Sequence, residues 1–117
     1  MRRVFLAALL ALSLALPTAA QRSGTYDVTG RNPDGTDYTG TLILTQIGLS
    51  SFRVQWVIGQ DEIEGVAMVS GLTLATAFAL GEQTGMGIYQ LQPDGSLVGV
   101  WTTAGAFAQG EETARPR

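Results

Sequence analysis

The sequence predicts an all-β protein, a small antiparallel up-and-down barrel of seven to eight strands, with a flattened β-sandwich as the alternative. Apolar and polar residues alternate with a period of two through most of the chain, as they do in strands that bury one face. Gly, Pro, Asn and Asp separate these segments at intervals of roughly 8–12 residues. Closing the meander into a barrel removes the exposed strand edges that promote aggregation, which favours the barrel.

The clearest hairpin joins residues 37–47 to residues 51–58 through a turn at residues 48–50. In both strands one parity is mainly apolar, whereas the other is rich in Thr, Ser, Arg and Gln. The apolar parity is therefore expected to face the interior. Its members are Tyr38, Gly40, Leu42 and Leu44 in the first strand, and Phe52, Val54, Trp56 and Ile58 in the second.

Six further segments complete the predicted sheet. Residues 24–30 form the first strand, and the turn Asn32-Pro33-Asp34-Gly35 leads into the hairpin, with Gly35 in the left-handed conformation. Residues 72–80 are rich in alanine and suit a strand or a short helix, and the neighbouring strands favour a strand. We expect residues 81–85 to form a loop and residues 114–117 a frayed tail. The other predicted strands are residues 62–69, 86–92, 96–103 and 106–113.

Residues 1–20 have the features of a secretory signal peptide. Arg2 and Arg3 precede an apolar run at residues 4–16, and small residues precede Gln21. The run is short for a permanent bilayer span. We expect cleavage after Ala20, no membrane span after cleavage, and a secreted or periplasmic location. The remaining residues 21–117 are enough for a single domain with one modest core.

Composition excludes several kinds of site. The sequence has no Cys and no His, which excludes disulfides, Cys/His zinc sites, haem ligation by His, and Ser-His or Cys-His catalytic pairs. Removal of residues 1–20 leaves five arginines against ten acidic residues, a formal charge of −5. An acidic surface argues against nucleic acids and anionic membranes as partners. No cofactor is predicted.

The acidic residues do not form a recognisable metal or catalytic motif. Asn32, Asp34 and Asp37 share one turn, but the spacing of a calcium-binding EF-hand loop is absent. Glu62 and Glu64 lie on the polar face of one predicted strand, which suits solvated side chains better than the paired carboxylates of a glycosidase. We therefore predict no metal site, no catalytic residues and no enzymatic activity.

Glycines on the inward parity suggest two interpretations of the interior. Four strands each carry one, and each has a large side chain two residues away. In the first interpretation, rings lie over the glycines and fill the core tightly. In the second, the glycines open a small apolar pocket. The residues predicted to line that pocket are Tyr38, Trp56, Tyr89 and Trp101.

A set of Gly, aromatic and turn residues resembles a family of short secreted bacterial β domains, some of which are labelled as fibronectin-binding proteins. The resemblance covers most of the chain after residue 20 and implies the β fold and a role in adhesion, with no binding residue assigned. Gly24-x-Tyr26 is also similar to the Gly-x-Trp of lipocalin-like barrels. The motifs are Gly24-x-Tyr26, Gly30-x-Asn32-Pro33-Asp34-Gly35-x-x-Tyr38-x-Gly40, Trp56-x-Ile58-Gly59, Gly87-x-Tyr89, Asp94-Gly95-x-Leu97-x-Gly99-x-Trp101 and Gly110-x-Glu112.

Three functions are compatible with these features. The first is a non-enzymatic, secreted or periplasmic binding module for a protein or a glycan, which would bind through turns because loops on a rigid scaffold usually carry recognition. The second is a small lipocalin-like carrier of an apolar ligand. The third is an inhibitor of an extracytoplasmic enzyme. For the first, the candidate partner-binding residues are Arg31, Asn32, Asp34 and Asp37.

Overall fold

A computed structural model describes residues 23–117 and shows a closed barrel of eight antiparallel strands. Each strand pairs with the next in sequence, and the last pairs with the first. The predicted up-and-down barrel is confirmed, whereas the predicted signal peptide lies outside the described residues. The strands are β1 (Gly24–Arg31), β2 (Asp37–Gln46), β3 (Ser51–Ile58), β4 (Asp61–Ser70), β5 (Thr73–Leu80), β6 (Gln83–Leu91), β7 (Leu97–Thr103) and β8 (Gly110–Pro116).

Up-and-down connectivity sorts the turns onto two ends of the barrel. Turns at residues 32–36, 59–60, 81–82 and 104–109 lie at one end, which we call the mouth. Turns at residues 47–50, 71–72 and 92–96 lie at the other end, the base, where β1 begins and β8 ends. Ser23 is tied to the base by its hydroxyl, which accepts a hydrogen bond of 2.8 Å from the backbone N–H of Gln46.

The base half of the barrel is filled by large apolar side chains. Leu44, Phe52, Leu74 and Leu97 lie near the base ends of four different strands, and each is at most 1% exposed. Burying such side chains stabilises the fold by about 1.5–3 kcal/mol each. The base half is thus a filled apolar core, while rings lie over inward glycines at Gly85, beside Phe78, and at Gly99, beside Tyr89.

The structure shows that the segment at residues 72–80 is a strand and not a helix. It also corrects the predicted loop at residues 81–85 and the predicted tail at residues 114–117. Residues 73–80 form β5, and no helix among residues 23–117 is long and apolar enough to cross a membrane. The loop predicted at residues 81–85 is shorter, because Gly85 already belongs to β6 and pairs with Phe78. The predicted frayed tail is also wrong. Ala114 is fully buried within β8, and Pro116 pairs with Tyr26 to close the sheet.

Candidate functional site

The mouth half of the barrel contains a cavity of about 240 Å³ that opens between the turns. All four side chains predicted to line an interior pocket contribute to its wall: Tyr38, Trp56, Tyr89 and Trp101. The cavity walls also include Glu112, which is only 5% exposed. A pocket walled by the four predicted residues is therefore present in this half of the barrel, but the glycines do not open it, since none of them is among its lining residues.

Five residues that pair side by side across neighbouring strands bring two tyrosines to Glu112, the polar group of this cavity. Gly30 pairs with Tyr38 on one side and with Glu112 on the other. Glu112 in turn pairs with Gly99, which pairs with Tyr89. A Cβ atom at Gly30 would collide with the Tyr38 ring, and one at Gly99 would lie 2.7 Å from Cδ2 of Tyr89. The two glycines let both tyrosines lean over their neighbouring strand and reach Glu112.

Glu112 is the acceptor for three hydrogen bonds inside the barrel. Its Oε1 accepts one from the Tyr38 hydroxyl at 2.6 Å. Its Oε2 accepts one from Nε1 of Trp56 at 2.9 Å and one from the Tyr89 hydroxyl at 3.1 Å. The Tyr38 hydroxyl itself accepts a hydrogen bond of 3.0 Å from Nε1 of Trp101. The four predicted pocket residues therefore form one network that converges on a single carboxyl group.

The network leaves Glu112 with spare capacity to accept. A carboxylate offers about four acceptor positions, two on each oxygen. Two donors occupy Oε2, but Oε1 receives only the Tyr38 hydroxyl. One acceptor position on Oε1 is thus not used by the described side chains, and Glu112 borders the cavity.

Burial and hydrogen bonding act on the ionisation of this carboxyl group in opposite directions. Desolvation raises the pKa of Glu112, and the donors on Tyr38, Trp56 and Tyr89 lower it, with a net result above the usual range. Burial, followed by the nearby charge of Glu112, also raises the pKa values of Tyr38 and Tyr89. The two tyrosines therefore stay protonated and remain hydrogen-bond donors at ordinary pH.

Aromatic rings surround the cavity in edge-to-face contact. The Phe78 ring lies 5.1 Å from the Trp56 ring at an interplanar angle of 63°, and 6.2 Å from the Trp101 ring at 66°. Tyr38 and Trp101 are 6.4 Å apart at 71°. Such T-shaped pairs are favourable because the positive edge of one ring meets the negative face of another. They hold the walls of the cavity in fixed positions around Glu112.

The four candidate partner-binding residues lie at the mouth but do not converge. Asn32 borders the cavity, whereas Asp34 is exposed and accepts hydrogen bonds from the backbone N–H and hydroxyl of Thr36. Arg31 and Asp37 form a 3.5 Å ion pair on the outer wall, beside a shallow depression of about 420 Å³ that both help to line. The structure thus separates them into a cavity rim, a turn and an outer surface.

Glu112 is the central polar residue of the site, and the sequence analysis did not identify it as functional. It appeared only in the Gly110-x-Glu112 motif of the resemblance, on a strand predicted at residues 106–113. The signal that could have identified it is alternation in β8, where Glu111 points outward while Gly110, Glu112 and Ala114 are buried. Among the described residues, no group of three or more acidic side chains is arranged to hold a metal ion.

Comparisons with known proteins identify the fold. No family model matches the sequence, and no curated protein matches it. Solved structures of small β-barrels do match. A redesigned β-barrel has a TM-score of 0.71 at 19% identity, over 85% of this chain and 94% of that one. The redesigned barrel mFAP1 bound to DFHBI has a TM-score of 0.65 at 20% identity, over 81% and 94%. A mutant of the fluorescent protein UnaG has a TM-score of 0.54 at 14% identity, over 81% and 95%. At these identities the matches establish the barrel fold.

Proposed function

We propose that this protein is a non-enzymatic barrel that binds a small, mainly apolar ligand in the mouth cavity, outside the cytoplasm after removal of residues 1–20. The observation that carries the proposal is the contrast between the two halves of the barrel. The base half is closed by fully buried side chains, whereas the mouth half keeps an open cavity with aromatic walls and one buried carboxyl group. Such a mix of apolar wall and few polar groups is typical of ligand sites.

The size of the cavity limits the ligand. Pockets for drug-sized molecules measure about 300–1,000 Å³, and the mouth cavity, at about 240 Å³, is smaller. The ligand is therefore a small molecule, or a larger one that extends past the mouth. A structural neighbour, the redesigned barrel mFAP1, was solved bound to DFHBI, so a barrel of similar fold can hold a small ligand.

The proposal is tested by calorimetric titration with small aromatic probes such as 2-phenylethanol. We expect binding at roughly micromolar to millimolar concentration, given the size of the probe. Leu80 lines the cavity, so the larger side chain in Leu80→Phe should reduce the space for the probe and weaken binding at least several-fold. Leu72→Phe is the matched control, since Leu72 is 61% exposed at the base and its replacement should leave affinity unchanged. Equal weakening by both variants, or no binding of any small probe, would contradict the proposal.

A second candidate function is recognition of a glycan or protein partner at the outer depression, in agreement with the adhesive role that the family resemblance implies. The depression is lined by hydroxyl and charged side chains, among them Arg31, Asp37 and Glu111, which suits a polar partner. The double variant Arg31→Ala/Asp37→Ala should abolish capture of the partner on a glycan array or on immobilised fibronectin, while binding of 2-phenylethanol persists. Unchanged capture by the double variant would exclude this surface.

A further inference from the structure

Within residues 23–117, the buried carboxyl group of Glu112 has hydrogen bonds but no cationic partner. The two ion pairs among residues 23–117, Arg31–Asp37 and Arg117–Asp27, both lie on the outer surface. Acidic side chains are rarely buried to 5% exposure unless they are paired, because the loss of hydration is costly. Three neutral donors offset part of this cost and leave the charge itself uncompensated.

We propose that the mouth cavity binds an organic ammonium ion, with the cationic nitrogen beside Glu112 and the apolar body of the ligand among the aromatic rings. This inference rests on the proposed function and specifies its ligand class. The ammonium group would supply the missing positive charge, and an N–H donor on it would fill the acceptor position left on Oε1 of Glu112.

The walls of the cavity favour a cation over a neutral or anionic ligand. Its lining includes a second acidic residue, Asp61, and none of the described lining residues is basic. Indole, phenol and phenyl rings attract a cation that lies within about 6 Å of the ring centroid. The centroid of the Phe78 ring lies 5.1 Å from that of Trp56 and 6.2 Å from that of Trp101, so a cation beside Phe78 can lie within range of a second ring.

The same features disfavour a carboxylate or phosphate ligand. An anion in the cavity would face Glu112 and Asp61 with no arginine on the described wall to offset the repulsion. The Nε1–H groups of Trp56 and Trp101 already donate hydrogen bonds to Glu112 and Tyr38, so they are not available to an anionic ligand. The acidic net charge of the whole chain, −3, adds a long-range attraction for cations.

The experiment compares probes that share a phenyl ring and a two-carbon stem or its equivalent but differ in charge. Calorimetric titrations of the wild-type protein near neutral pH would use 2-phenylethylammonium, 2-phenylethanol and phenylacetate. We expect the ammonium probe to bind at least about tenfold more tightly than the alcohol, and phenylacetate to bind more weakly than either. Benzyltrimethylammonium, which has no N–H, should retain the preference over the alcohol if the rings and the charge provide most of the attraction.

Two variants locate the preference. Glu112→Gln keeps the size of the side chain and removes the charge, so the ratio of ammonium to alcohol affinity should fall towards one while the alcohol still binds. Glu111→Gln removes the same charge from the neighbouring residue, which is exposed on the outside of β8, and should leave the ratio unchanged. Asp61→Asn should reduce the ratio of ammonium to alcohol affinity by a smaller amount. It serves as the second test if Glu112→Gln does not fold.

The outcomes separate the ligand class from the site. Wild-type protein that binds the alcohol or phenylacetate as tightly as the ammonium probe overturns the inference and leaves the proposed function intact. Absence of binding by all the probes overturns both. An unchanged affinity ratio in folded Glu112→Gln, or an equal loss in Glu111→Gln, also overturns the inference, since the preference would not then arise at the buried carboxyl group.

Discussion

Gly99 controls how closely Tyr89 approaches Glu112. A Cβ atom at this position would collide with the backbone carbonyl of Ile88 and lie 2.7–2.8 Å from atoms of Tyr89. Because backbone atoms cannot move aside as a flexible side chain can, Gly99→Ala should lower the free energy of unfolding by about 1–3 kcal/mol. Urea denaturation monitored by tryptophan fluorescence measures the change.

Gly24 provides the control for this substitution. It also lies in a strand, but no atom is within 4 Å of the position that its Cβ would occupy. Gly24→Ala should therefore be neutral or stabilise by up to about 1 kcal/mol, because alanine reduces the conformational freedom of the unfolded chain. Equal destabilisation by both alanines would show that close packing at Gly99 is not the cause.

At the same scale, the inward direction of Tyr38, Trp56, Tyr89 and Trp101 could be predicted from parity alone, since alternation is a local property of a strand. Their hydrogen bonds to one carboxyl group could not. Tyr38 and Glu112 are 74 residues apart in sequence, and they meet only because β8 pairs with β1. Alternation in β8 gives the inward direction of Glu112, but its meeting with these donors depends on a long-range register that no local pattern contains.

Within the strands, alternation makes neighbouring residues differ sharply in energetic importance. Leu97 is fully buried at the start of β7, whereas Val98 is 43% exposed on the outer wall. Leu97→Ala should cost about 2–5 kcal/mol, since it removes apolar contacts and leaves a cavity. Val98→Ala should cost less than about 1 kcal/mol. Thermal denaturation of the two variants measures the contrast, and similar losses would contradict the assigned parity of β7.

Elements with strong local signals were predicted well, and β8 was not. In the two Pro-Asp-Gly turns, Gly35 and Gly95 have φ values of 93° and 89°, the left-handed conformation that was predicted for a glycine at this position. The stretch that includes β8 offers no such guide. Its one aromatic residue, Phe107, is fully exposed in the turn before the strand, and the inward side chains of β8 are small or acidic. Pairing with β1 and β7, rather than its own hydrophobicity, defines this strand.

For the molecule as a whole, two kinds of carboxyl group should produce a stability maximum near pH 4. Hydrogen bonds within the turns lower the pKa values of Asp34 and Asp94, so their contribution is present above the unfolded value of about 3.9 and is lost as the pH falls. Burial raises the pKa of Glu112, so its contribution is present below about 4.3 and is lost as the pH rises through the folded value.

Melting temperatures measured from about pH 3 to pH 7 test this balance. The wild-type protein should become less stable on both sides of the maximum, and Glu112→Gln should flatten the decline on the neutral side. Tyr38 and Tyr89, which face the carboxyl group, do not titrate in this range, since the ordinary pKa of tyrosine is about 10 and burial raises the pKa of both further. A decline towards neutral pH that is as steep in the variant as in the wild type would assign it to other groups.

The described part of the chain begins and ends at the base, opposite the mouth, and this placement determines how a tethered barrel is oriented. Residue 23 and residue 117 both lie at the base, where the backbone N–H of Arg117 donates a 2.9 Å hydrogen bond to the carbonyl of Thr25. A barrel attached to a surface, a bead or a fusion partner through either end therefore presents its opening away from the point of attachment. Immobilisation through a tag joined directly at residue 23 or residue 117 leaves the route into the cavity unobstructed.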